Sequence, residues 1–336
     1  MRVLLVTTDG DDSILRQTPG RTGRWRDCDF VVDPRRGPFH LIAVMEDTPF
    51  TIDTQAARTL WFPCEPPRMR RHPIGFLRQF DAICSMQPRS WRRPVIARDF
   101  CYNWHIGCQR NSGSVQYPLG YDEMQSHVPP AMKNKILSCV ASAKALIPGH
   151  VRRLRFAQAV QRQLGASCDL FGAGINPVAD KADAIVPYRL HLTIENEAFP
   201  GYWSEKLGDA FLGEALPIYC GDPQITRCFP TASLLTIDIR RPNAALEQVC
   251  AWATDSEHLY TERRSAILEA KSLILGHLNV FDACVDALEQ IKASGMRQRC
   301  IRPREACATR LDRAKTLALR GRRKIEQVLT KTIYHA

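Results

Sequence analysis

The chain has 336 residues, 45% of them hydrophobic and 24% charged, with a formal net charge of +11. This balance excludes a disordered, collagen-like or small disulfide-scaffold protein, and the length suits about two domains with full cores. The charge is uneven: residues 292–336 hold thirteen Lys or Arg against three Asp or Glu, a net of +10, so residues 1–291 are nearly neutral.

Val3 to Thr7 is a short β-rich run followed by a polar loop. It is too brief for a secretory signal, and nowhere does the chain hold the 18 or so consecutive apolar residues of a spanning helix. Phe30-Val31-Val32, Leu41-Ile42-Ala43-Val44-Met45 and Thr59-Leu60-Trp61-Phe62 are continuous apolar runs, as are Ala82-Ile83-Cys84 and Val95-Ile96-Ala97. Such runs suit parallel strands buried on both faces. They predict a first α/β domain over residues 1–130. His105, among aromatics, reads as a packing residue.

The pattern then begins again. Lys135-Ile136-Leu137-Ser138-Cys139-Val140 predicts a strand, and residues 150–164 a helix closed by Gly165. Strands follow at 168–171, 188–194, 216–220 and 233–239, with a helix at 205–214 capped by Ser204 and mostly helix from 244 to 294. This predicts a second α/β domain over 131–291 and a basic tail over 292–336. The thirteen cysteines show no Cys-x-x-Cys pair and no zinc spacing, which suits free thiols in a reducing cytoplasm.

Chemistry concentrates in residues 188–223. A strand ends in Glu195-Asn196, and a loop leads to a helix opening with Tyr202-Trp203-Ser204-Glu205-Lys206. A helix start presents unpaired N–H groups and a partial positive charge, so Lys206 sits there at a cost unless an anion joins it. The spacing alone also allows a solvated Glu205–Lys206 pair after a serine cap.

The stretch Tyr188-Arg189-Leu190-His191-Leu192-Thr193-Ile194-Glu195-Asn196, then Gly201-Tyr202-Trp203-Ser204-Glu205-Lys206-Leu207, then Ala215-Leu216-Pro217-Ile218-Tyr219-Cys220-Gly221-Asp222-Pro223 resembles the donor-site motif of the α1,3-fucosyltransferase family (glycosyltransferase family 10, bacterial members). The resemblance covers about 36 residues. It implies an α/β, GT-B fold of two Rossmann-like domains facing a cleft, a GDP-fucose donor and inversion at the anomeric carbon. It implies that Glu195, Asn196, Tyr202, Glu205 and Lys206 bind the donor. Position in the pattern adds Arg153, with Arg152 and Arg155 as neighbours, on the diphosphate. Ile194, Trp203-Ser204 and Asp222 depart from the family pattern without removing a charged group.

The resemblance also implies a catalytic base, Glu65, in Trp61-Phe62-Pro63-Cys64-Glu65-Pro66-Pro67. Pro66 and Pro67 offer it no backbone N–H, while Arg68, Arg70 and Arg71 pull the other way. Fixed cations can stabilise a leaving diphosphate, and no Asp-x-Asp motif stands out, so no metal or other cofactor is expected. The acceptor is expected to be a glycan, lipopolysaccharide or lipid-linked.

Residues 310–331 carry a basic, interrupted amphipathic pattern that suits an anionic membrane surface, or else a solvated helix packed on the body. The expected location is cytoplasmic, peripheral on the inner face of the membrane. Two other readings stand beside this one. The first is the same fold with another nucleotide-sugar donor. The second is a non-catalytic basic protein on membrane or nucleic acid; the near-neutral body speaks against nucleic acid.

Overall fold

The computed structural model describes residues 1–66, 69–87, 91–111, 114–142 and 148–333, with side chains, Asn111 apart, as far as residue 321. Pro67, Arg68 and the side chains of Arg322, Arg323, Lys324 and Lys331 lie outside the described residues. The chain divides into two compact units. One comprises Met1–Tyr102, Gly120–Asp122 and His277–Arg320; the other comprises Asn103–Leu119, Glu123–Gly276 and the residues from Gly321 on.

The first unit holds a seven-stranded sheet in the order Arg24–Trp25, Cys28–Val31, Arg2–Val6, Leu41–Met45, Thr59–Phe62, Ala82–Cys84, Val95–Ile96. All pairs are parallel except the first. Leu41–Met45 and Thr59–Phe62 are buried at every position. Their side chains alternate between two cores, with Leu41, Ala43, Leu60 and Phe62 in one and Ile42, Val44 and Trp61 in the other.

The first of these cores is closed by residues from far down the chain. In the helix Val280–Gln290, Phe281, Cys284, Val285 and Leu288 recur at helical spacing and are buried in it. Burying a side chain such as Phe281 or Leu288 contributes roughly 1.5–3 kcal/mol. The strand Arg297–Ile301 then pairs antiparallel with Ile52–Ala56. Arg299 is 9% exposed and donates to Asp81 at 2.8 Å, and Arg304 binds Asp47 at 3.3 Å.

The boundaries read at 130 and 291 are therefore corrected. Residues 277–291 belong to the first unit, and residues 292–309, read as tail, use part of their positive charge inside it. The helix Arg310–Ile333 follows, passing through Gly321 without a break. Leu311 and Leu317 on it are 62% and 66% exposed. Among the described residues no helix is long and apolar enough to cross a membrane.

The second unit holds a five-stranded parallel sheet in the order Cys168–Phe171, Lys135–Val140, Tyr188–Ile194, Leu216–Cys220, Leu235–Thr236. Counted along the chain this is 2-1-3-4-5, so the order reverses beside the first strand. The helix Pro148–Leu164 follows that first strand, and the helix Glu205–Leu212 follows the third. Pro242–Thr254 and Ser256–Leu275 are the remaining long helices. The last strand is only Leu235–Thr236, because a 3-10 turn occupies Thr231–Ser233.

Residues 103–119 join this unit through two buried carboxylates. Asp209 accepts the N–H groups of His105 and Ile106 at 2.9 and 3.1 Å, and Asp180 accepts that of Gly107 at 2.9 Å.

His191, in the central strand, is buried and lies 2.8 Å from the Ser138 hydroxyl. Burial, reinforced by Lys181 and Lys133, pushes its pKa down to about 3. Unfolded, the ring titrates near 6.5. Between these values the unfolded chain binds a proton that the folded chain does not. Stability present above pH 6.5 is therefore lost as pH falls through that window, by about 5 kcal/mol in full. His191→Gln should flatten this acid limb. Urea unfolding at pH 7, 5 and 4 checks it, and equal pH slopes for variant and wild type would refute it.

Candidate functional site

In open α/β sheets, ligands bind beyond the carboxyl ends of the strands, where the strand order reverses. Here that point lies between Lys135–Val140 and Tyr188–Ile194, and the residues singled out in the second unit gather there.

Arg153 lies on the buried face of its helix with His150, Val151, Phe156, Ala157 and Val160. It is 6% exposed, while Arg152 and Arg155 are only partly buried. Its Nη1 donates to Asn196 Oδ1 at 2.7 Å, bridging the elements that follow the first and third strands. Its Nε is buried with no hydrogen-bond partner among the described residues. A buried guanidinium left partly unsatisfied is costly.

Glu195 follows directly on the third strand. Its carboxylate accepts the Ser204 N–H at 2.8 Å and the Ser204 hydroxyl at 2.7 Å. Ser204 in turn caps the helix Glu205–Leu212 by accepting from the Lys206 N–H. Glu195 thus clamps strand end to helix start, with both oxygens engaged inside the protein. Gly221 makes room for it, since a Cβ there would lie 2.7 Å from Glu195 Cγ and 2.1 Å from Tyr219 Oη.

Lys206 Nζ lies 3.0 Å from Ser204 Oγ, 3.3 Å from Glu205 Oε1 and 3.5 Å from Glu195 Oε2. Burial would lower its pKa, but Glu205 and Glu195 raise it above the usual value. Two carboxylates therefore offset the cost of a cation at this helix start without any bound anion. Burial would raise the Glu205 carboxyl, yet Lys206, His105 and Lys181 hold it well below the usual range.

Tyr202 is buried and stacks on Phe199, with ring centroids 5.2 Å apart. Asp222 accepts the Gly201 N–H at 3.0 Å and pairs with Arg227, fixing the loop between strand and helix.

His105 belongs to this cluster, which corrects its reading as a packing residue. Its Nδ1 is 3.7 Å from Glu205 Oε1, and its side chain is 40% exposed. Lys181, 2.8 Å from the buried Asp209, is a further member that sequence reasoning missed. No local motif flags either residue.

Glu65 lies in the first unit, just past Thr59–Phe62. Its N–H and that of Cys64 donate to Glu46 Oε2 at 3.1 and 2.8 Å. Glu46 Oε1 meets the His72 ring at 2.9 Å and Arg70 at 3.5 Å. Of the arginines expected to act on Glu65, Arg70 thus lies on Glu46.

No protein-family model matches the sequence, and no curated protein matches it. The crystal structure of an α1,3-fucosyltransferase aligns with 87% of this chain and 89% of its own, at TM-score 0.53 and 15% identity. Structures of an α1,3-fucosyltransferase with GDP and with GDP-fucose align over 84% and 82% of this chain and 92% and 90% of theirs. Both have TM-score 0.48, at 15% and 14% identity. The fold is the GT-B glycosyltransferase fold, as in the α1,3-fucosyltransferase.

Proposed function

We propose that the chain is an inverting glycosyltransferase that moves fucose from GDP-fucose to a hydroxyl of a glycan acceptor, lipopolysaccharide or lipid-linked. The observation that carries this reading is Arg153. It is buried at the switch point, tied to Asn196 through Nη1, close enough to Lys206 to influence its charge, and among the described residues short of a partner at Nε. A planar fork beside a point charge is what a diphosphate needs. The fucosyltransferase-like motif around it supports GDP-fucose over other donors.

In this mechanism Arg153 and Lys206 hold the diphosphate, Asn196 orients Arg153, and Glu195 fixes the helix start through Ser204. Glu205, ionised by its neighbours, accepts hydrogen bonds from the sugar hydroxyls, and Tyr202 walls the donor pocket. The acceptor oxygen bonds to the anomeric carbon as the bond to the β-phosphate breaks. GDP leaves with that electron pair, and the acceptor proton passes to Glu65. The fixed cations stabilise the leaving charge without a metal.

Calorimetry with GDP, UDP and CDP tests the reading. GDP should bind at least tenfold more tightly than the others, and chelator should leave turnover unchanged. Preference for UDP would move the protein to another donor.

The basic helix Arg310–Ile333 holds the protein on an anionic membrane surface at the inner face. Each Lys or Arg near such a surface is worth about 1 kcal/mol, screened within a Debye length. Truncation after residue 309 should release the protein from anionic liposomes in sedimentation, and salt should weaken binding of the intact chain. Equal sedimentation of truncated and intact protein would make the helix structural.

A further inference from the structure

The first unit carries a cavity of about 250 Å³ that the donor chemistry does not use. It lies by the helix Ile74–Leu77 and the segment before Val95–Ile96, and Arg78, Arg92, Arg93 and His72 line it together with Ile74 and Leu77. No acid lines it. Among the described residues, no carboxylate lies within ion-pair distance of Arg78, Arg92 or Arg93. Three uncompensated guanidinium groups around one cavity repel one another, and an anion between them reverses the sign of that interaction.

Two further groups point the same way. His72 is 8% exposed; its Nε2 is held by Glu46, while its Nδ1 is buried with no partner among the described residues. Arg93 donates one Nη to the Phe80 carbonyl, and its Nε is likewise buried and unpartnered. Buried polar atoms are rarely left so. Arg78 and Arg92 are exposed and can approach a ligand from the rim.

We infer that this cavity is a binding site for a phosphate group, separate from the site in the second unit. Guanidinium forks match phosphate oxygens in pairs. The apolar side chains of Ile74, 46% exposed, and Leu77 suit the carbon skeleton that carries the phosphate. The same chemistry serves a phospholipid headgroup or a phosphorylated soluble ligand.

The test uses the full chain and follows inorganic phosphate by ³¹P line broadening. It is run in wild type and in Lys206→Ala, so that the second unit's cations are accounted for. Arg78→Ala/Arg92→Ala should weaken phosphate binding at least tenfold in both backgrounds, and Arg78→Lys/Arg92→Lys should keep part of it. Arg93 is left in place because it holds Phe80. Thermal unfolding checks that the variants are folded.

Vesicles separate the two sources. A site for a terminal phosphate favours phosphatidic acid over phosphatidylglycerol, whereas a basic helix follows charge alone. Loss of the double variant from phosphatidic acid vesicles only assigns a lipid headgroup. Loss of phosphate binding with both vesicle types unchanged assigns a soluble ligand. If the alanine variant binds phosphate and both vesicles as wild type does, the site does not exist.

Discussion

Arg153→Ala should weaken GDP binding by about 2–3 kcal/mol, roughly thirty- to 150-fold, the range for a charge-assisted contact to a buried phosphate. The effect belongs to the guanidinium and not to the fold. Among the described residues Arg153 makes one hydrogen bond, to Asn196, and its Nε has no partner, so its removal takes away little of that bonding. Arg153→Lys should recover only part of the affinity, because a point charge cannot both hold Asn196 and fork onto a phosphate. Lys206→Ala should cost at least as much by a second route. Lys206 lies 3.3 and 3.5 Å from the Glu205 and Glu195 carboxylates, and without it both would face the incoming diphosphate. Calorimetry with GDP reads both variants. If either binds GDP as tightly as wild type, its role on the diphosphate is wrong.

Much of this cluster was legible because it is local in sequence. Glu195, Ser204, Glu205 and Lys206 lie within twelve residues, and a strand end followed by a capped helix places them together whatever the rest of the chain does. The buried strands were legible for a similar reason: Leu41–Met45 and Thr59–Phe62 are apolar at nearly every position, a pattern that survives only where both sheet faces are covered.

What the sequence hid depends on distant pairing. His105 reaches Glu205 because Asp209 captures the His105 and Ile106 N–H groups, and nothing near residue 105 announces a partner about a hundred positions away. The helix Val280–Gln290 has an apolar stripe that would fit either sheet, so its spacing could not say which one it covers. The strand Arg297–Ile301 reads as charge. Its place is set by Ile301 in the core and by Arg299 on Asp81. Counting those arginines as free tail charge overstated what the tail can offer a membrane.

Glu65→Gln should leave GDP affinity unchanged and lower turnover a hundredfold or more, the usual worth of a positioned general base. In the proposed mechanism the base acts on the acceptor proton, so donor binding and catalysis should separate in this variant, whereas Arg153→Ala should lower both. Glutamine keeps the length and polarity of the side chain, and the backbone N–H of residue 65 remains for Glu46 to accept, so the local turn stays in place. Glu46 itself cannot take over. It is 3% exposed, and its oxygens already receive Cys64, Glu65 and His72; freeing it would unmake the loop that carries residue 65. Single-turnover rates with GDP-fucose and a glycan acceptor, measured from pH 5 to 9, decide the matter. A variant with near-wild-type turnover would remove Glu65 from the reaction.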